Sequence, residues 1–174
     1  MIPTAQEAER ILDTLGCSKV IKRHCKTVQS FAIKISKRIV EKKIKIDMDL
    51  ISAGALLHDI GRVKTHSVLH GVYGKAIAEE LNLSPKLINI VENHIGAGIP
   101  AKEAAKLGLP EKDFIPETLE EKIICYADNR VTHSKIISFE KTLDEFVVRL
   151  GEKHLAIKRL KNLHNELLCL AGDL

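Results

Sequence analysis

The stretch LLHDIGR, Leu56 to Arg62, closes the longest mostly apolar run of the chain on a histidine and a carboxylate. Asp47 or Asp49 can start a helix that continues through Ile51, Ala55 and Leu56. Its end is predicted near Gly61, because glycine relieves a left-handed closing turn. His58 and Asp59 then fall in the last turn. A carboxylate that follows an apolar run is costly to bury unpaired, and a bound cation removes that cost.

Working outward, the same signals recur on both sides. Thr4 with Glu7 has capping-box spacing and opens a short helix to about Leu15, closed by Gly16. Ser18 caps a long helix on which His24, Val28, Phe31 and Ile35 share a face. Beyond a loop with Thr65, His66 and Ser67, a helix is predicted near Leu69 to Leu81. Ser84 and Pro85 are the cap and first position of another, ending at His94 before Gly96 and Gly98. Pro100 to Leu107 reads as a further short helix, and Thr118 with Glu121 starts one that carries Ile123, Ile124, Ala127 and Asp128. Two more span about Phe139 to Leu150 and Glu152 to Leu170. In the last, Ala156, Leu160, Leu163, Leu167 and Leu170 form the stripe of a core or a subunit contact. No strict alternation nominates a strand, and no repeat or linker divides the chain. The expected class is all-α, one helical bundle.

Composition excludes several alternatives. With 174 residues, 45% apolar and 29% charged, the chain is neither disordered nor too short to bury about 70% of its unfolded surface. Ile51 to Leu57 falls far short of the ~20 residues of a membrane span. MIPTAQEAER also lacks a basic-then-apolar signal layout, so a cytoplasmic protein without membrane contact is expected. Cys17, Cys25, Cys125 and Cys169 show no CxxC spacing and are expected as reduced thiols. Lys19 to Lys45 holds ten Lys/Arg against one acid, Glu41. That admits a phosphate-bearing partner, nucleic acid included, although a solvated helix face explains it as well.

The residues that carry chemistry are His24, His58 with Asp59, His70, His94 and Asp128. Imidazole and carboxylate together bind first-row divalent metals, which activate water and accept phosphate oxygens. Each residue alone has an ordinary explanation. Eight His and eight Asp make a chance His-Asp pair unremarkable, His24 can be a hydrogen-bonded core histidine, and Asp128 can pair locally. Yet Asp128 also follows an apolar run, IICYA, as Asp59 follows LLH. Helices packed as a bundle can bring such side chains to one interior point.

The ordered segments VIKRHCKTVQSFA, LLHDIGR, VLHGVYG, VENHIGAG and IICYADNR resemble the HD-domain metal-dependent phosphohydrolases, over about Ser18 to Thr132. The LHG and NHIGAG segments make the six-ligand subgroup the nearest, the one that includes bacterial enzymes cleaving symmetrical dinucleoside tetraphosphates. The resemblance implies a single HD domain whose catalytic core is about 18–132, and the helices at about 139–171, which it does not cover, are expected to complete the bundle or form a homodimer contact. It implies a first metal held by His24, His58, Asp59 and Asp128, and Asp59 bridging to a second held by His70 and His94. His66 lies four residues before His70 and competes for that role. Two divalent ions are expected, Fe or Mn by preference, with Mg, Co, Ni and Zn compatible. Arg62, Lys64 and Arg130 are expected to hold substrate phosphate.

The implied reaction is hydrolysis of a phosphate ester or anhydride in a small mono- or dinucleotide. A triphosphohydrolase usually needs a larger assembly. Tyr73 and Tyr126 are the candidates for base stacking, the latter more suited to packing. A metal- and nucleotide-binding sensor and a nucleic-acid-binding helical protein are the competing readings. His133, His154 and His164 are expected to face solvent or pair locally, and the helices beyond Thr132 match nothing specific.

Overall fold

Side-chain caps set most of the helix starts. The computed structural model describes residues 1–173, and nine α-helices are found among them. Thr4 accepts from the Glu7 amide while Glu7 reaches back to the Thr4 amide, starting α1 (Ala5–Thr14). Ser18 starts α2 (Lys19–Glu41), Asp47 starts α3 (Met48–Leu57), and Ser84 with Pro85 starts α5 (Pro85–Asn93). Thr118 caps α7 (Leu119–Asn129) and Ser138 caps α8 (Phe139–Leu150). Between them lie α4 (His70–Glu80) and α6 (Ala101–Lys106), and α9 (Leu155–Ala171) ends the described chain. Each cap satisfies an amide that the helix cannot, worth about 1 kcal/mol.

The hub is α3. Seven of its ten residues are buried, with α2 along one side and α1, α5 and α7 on the others. Gly54 is what lets α5 and α7 come so near: a Cβ there would lie 2.6 Å from Ile124 Cδ1 and 2.9 Å from Ile90 Cδ1. Leu56, Leu57 and Ile60 are fully buried around His58 and Asp59. At about 1.5–3 kcal/mol for each such side chain, the core holds this segment in place. α9 packs on α2, α7 and α8, with Leu163, Leu167 and Ala171 in the main core and Leu160 in a smaller cluster with Phe146 and Ile157.

Three local expectations are corrected. α3 stops at Leu57, with His58 as its cap, and a 3-10 turn follows over Ile60–Val63. Gly61 is not among the glycines with positive φ, so it closes no left-handed turn. It is needed because α4 crosses directly over it, where a Cβ would meet the His70 carbonyl oxygen at 1.8 Å. The last helix starts at Leu155 rather than Glu152, since His154 is extended and its ring Nδ1 accepts the Ala156 amide at 3.2 Å. Finally, β1 (Val131–Thr132) pairs antiparallel with β2 (Lys135–Ile136). The turn between them holds His133 and Ser134 at φ 48° and 61°, a backbone normally announced by Asn-Gly or Asp-Gly. Neither residue type is present, and the hairpin leaves no trace in the sequence.

Candidate metal centre

The ends of four helices and the second turn of a fifth deliver the six side chains. His24 comes from α2, His58 caps α3, and Asp59 follows it. His70 begins α4, His94 caps α5, and Asp128 sits in the last turn of α7. His24 Nε2 lies 2.8 Å from Asp128 Oδ1 and 3.8 Å from Asp59 Oδ2, and His58 Nε2 lies 3.4 and 3.7 Å from the same two atoms. On the other side His70 Nε2 and His94 Nε2 stand 3.3 and 3.4 Å from Asp59 Oδ1. Asp59 therefore faces one pair of imidazoles with each oxygen.

The ring orientations are set by the backbone. His58 Nδ1 is 2.8 Å from the Ala55 carbonyl, His70 Nδ1 2.7 Å from that of Ser67, and His94 Nδ1 2.9 Å from that of Val91. A carbonyl oxygen only accepts, so each Nδ1 carries a hydrogen. In the neutral ring Nε2 is then a lone pair aimed at the centre, as in metal-ligating histidines. Two of these lone pairs, on His70 and His94, face each other at 3.0 Å. His58 Nε2 and Asp59 Oδ1 are buried with no hydrogen-bond partner.

Three groups, His24–His58–Asp59, His58–His94–Asp128 and Asp59–His70–His94, each have donor atoms mutually within 4.8 Å. Buried, lone-pair-rich and built of imidazole and carboxylate, this donor set fits divalent cations. His24 differs, since its Nε2 donates to Asp128 and gives up that proton to become a ligand. Charge compensation without a cation falls to protons. Burial works against a charged His58, yet Asp59 and Asp128 outweigh it and raise its pKa to about 9. Burial likewise opposes charge on Asp59 and Asp128, and the surrounding histidines still hold both carboxyls below the usual range.

The expected phosphate cations divide. Arg62 Nε donates to Asp59 Oδ2 at 2.6 Å from the rim of the site. Lys64 is exposed and lines neither of the two cavities that open on the centre, which removes the ground for its phosphate role. Arg130 is corrected outright. It is 4% exposed, donates to the Ile137 carbonyl at 2.7 Å and to the Tyr126 hydroxyl, and its guanidinium covers the Phe31 ring at 5.4 Å. It braces the hairpin against α2 and α7. Arg130→Leu is expected to cost about 2 kcal/mol, through an unpaired buried carbonyl and hydroxyl, and to leave metal content unchanged, as urea melts and elemental analysis will show.

His66 is exposed on the rim, so the position beside Asp59 belongs to His70. Tyr126 is fully buried against His164, which stacks on Phe139 at 3.6 Å, and Tyr73 is exposed. Sequence reasoning missed Asn129, Arg149 and Arg159 around the centre. Asn129 Nδ2 holds the Gly96 carbonyl at 2.6 Å, and its place beside Asp128 was the available signal. The two arginines lie on α8 and α9, far along the chain from any motif.

Residues 21–132 match the HD domain, a stretch that contains all six side chains. The chain belongs to the HD domain family. An uncharacterized protein of Methanocaldococcus jannaschii is 43% identical over 93% of this chain and 95% of its own length. Two proteins named tRNA (cytidine(56)-2′-O)-methyltransferase, from Picrophilus torridus and Thermoplasma volcanium, are 40% and 37% identical over 98% and 99% of this chain. The chain spans about half the length of these two, 48% and 49%. Among solved structures, the HD domain of the L. monocytogenes phosphodiesterase PgpH in complex with cyclic-di-AMP superposes with a TM-score of 0.55. It is 17% identical, over 96% of this chain and 97% of that one. This HD fold therefore persists where most of the sequence has changed.

Proposed function

We propose that this HD-domain chain is a metal-dependent phosphohydrolase that cleaves a phosphate ester or anhydride of a nucleotide. The observation that carries the reading is the set of three buried imidazoles whose Nε2 atoms face Asp59, with no hydrogen-bond partner for its Oδ1. Methyl transfer, the activity named for the two half-matched relatives, gives these residues no task.

His24, His58, Asp59 and Asp128 would hold one divalent cation, and Asp59, His70 and His94 a second. When bound, such cations supply Lewis acidity and lower the pKa of water toward neutrality. The remaining work belongs to the chain. Backbone carbonyls fix the histidine tautomers, and Asp59 and Asp128 enter the site already ionised. Arg62 sits where it can exchange its hold on Asp59 for a substrate phosphate, a charge-assisted contact stronger than a neutral one.

Protein purified without chelator is expected to carry close to two Fe or Mn atoms by elemental analysis, and to release phosphate or nucleotide from a nucleotide panel with either metal. About one atom would reassign His70 and His94 to substrate contacts. None, with no turnover, would refute the reading.

A second reading rests on the tRNA-modifying names of the two relatives and on a cavity of about 610 Å³ between α1 and α2, walled by Lys19, Lys22, Arg23 and Lys26. Lys22 and Lys26 are already paired with Asp13 and Glu9, which weakens it. If RNA docks there, its affinity will fall steeply with salt, and replacing Lys19 and Arg23 with Gln will flatten that slope.

A further inference from the structure

Two adjoining cavities open on the same centre. One, of about 570 Å³, reaches His70, His94 and Asp128. The other, of about 470 Å³, reaches His24, Asp59 and Asp128. Each lies in the size range of a small-molecule site, and each opens on a different half of the cluster. Arg62, His66, Asp128, Asn129, Phe146 and Arg149 belong to both walls, so the two are arms of one cleft that meet at the centre. The arms differ in character. Ile99, Leu107 and Leu150 give the first the more apolar wall, whereas the second sets Ser18, Thr132 and Ser134 beside Val20, Ile21 and Val131.

The cations around this cleft are unequally occupied. Arg62 is tied to Asp59 at 2.6 Å, and Arg159 makes two bonds to Glu103 at 2.6 and 3.0 Å. Arg149 is exposed, is found in no ion pair among the described residues, and stacks its guanidinium 4.7 Å from the centre of the buried Phe146 ring. That stacking restrains the side chain without using any of its donors.

We propose that Arg149, on α8 and outside the matched HD region, anchors the substrate phosphate where the arms meet, and that the cleft takes a phosphodiester with a nucleoside-sized group in each arm. A monoester would fill one arm and leave the other to water. In the step this implies, a water oxygen bonds to phosphorus as one ester P–O bond breaks. The departing oxygen takes up a proton, leaving an alcohol in one arm and a phosphate monoester in the other. This rests on the hydrolase reading above, and it adds the substrate class and the residue that selects it.

The test uses the metal-loaded full chain with adenylyl-(3′→5′)-adenosine, its phosphorothioate as a slowly cleaved ligand, and AMP. The dinucleotide is expected to be cleaved at least about 10-fold more efficiently than AMP, and the phosphorothioate to bind at least about 10-fold more tightly than AMP by calorimetry. Arg149→Ala should raise KM and weaken phosphorothioate binding by about 10-fold, the loss of one charge-assisted hydrogen bond. Its metal content should stay unchanged, and Arg149→Lys should restore part of the affinity. Val148→Ser, on the same helix and 87% exposed, should alter none of these.

AMP turned over as well as the dinucleotide, or Arg149→Ala with unchanged KM and binding, overturns the proposal while the hydrolase reading stands. Tight, Arg149-dependent phosphorothioate binding without any turnover supports the cleft and sinks the hydrolase reading alone.

Discussion

On the two-cation hydrolase reading proposed above, Asp59→Asn is expected to reduce turnover about 10³-fold or more and to lower the metal content. Asn keeps the size of the side chain and removes its charge. Asp59 Oδ1 is the only carboxylate oxygen within 4 Å of both His70 Nε2 and His94 Nε2 among the described ion pairs, and Oδ2 serves His24 and His58 on the other side. Losing it removes an anionic ligand from both halves of the cluster. Metal assistance takes several kcal/mol off the barrier, and about 4 kcal/mol corresponds to about 10³ in rate. Metal analysis, single-turnover rates and a thermal melt on the same sample separate the possible causes. Full metal content together with parent-level turnover would refute the assignment of Asp59.

The largest loss of stability is expected from Gly61→Ala, although it adds only a methyl group. That carbon would sit 1.8 Å from the His70 carbonyl oxygen and 2.5 Å from the Gly74 amide nitrogen. Both are backbone atoms, so no rotamer relieves the contact, and the 3-10 turn or α4 has to move. Overpacking of this kind costs about 3 kcal/mol, which for a chain of this length lowers Tm by about 6–12 °C. Because α4 carries His70 at its first residue, metal binding on the His70–His94 side of the cluster should weaken with it. Gly54→Ala is the contrast. Its Cβ has side-chain atoms as its three nearest contacts, Ile124 Cδ1 and the Cδ1 and Cγ2 of Ile90, and side chains yield more readily than backbone, so the shift should be smaller than that for Gly61. Equal melting temperatures for Gly61→Ala and the parent would show that α4 does not lie where the structure has it.

Much of the fold was legible because helix signals are local. Thr4, Ser18, Asp47, Ser84 and Thr118 each accept an amide three positions ahead. A pattern contained in four residues can be read without knowing the rest. The six metal-type side chains were legible for another reason: a donor set of fixed types in a fixed order leaves its mark on the chain wherever the pieces meet. Arg130 shows the limit. Two residues past Asp128, it reads equally as a phosphate clamp or a brace, and only Phe31, Tyr126 and Ile137 around it decide for the brace. Gly61 shows another, since a glycine kept for a left-handed turn and one kept for a crossing helix are the same letter.

The sequence alone determined that the chain is all-α, where most helices begin, and which imidazoles and carboxylates are available, since caps, periodicity and ligand type act through the residues themselves. Only the tertiary structure decided that both oxygens of Asp59 face imidazoles, that Arg149 from a distant helix stands at the meeting of two cavities, and that Arg130 is buried away from them. Those are distances between residues far apart in the chain. They arise from helices packing on α3, which no local signal records.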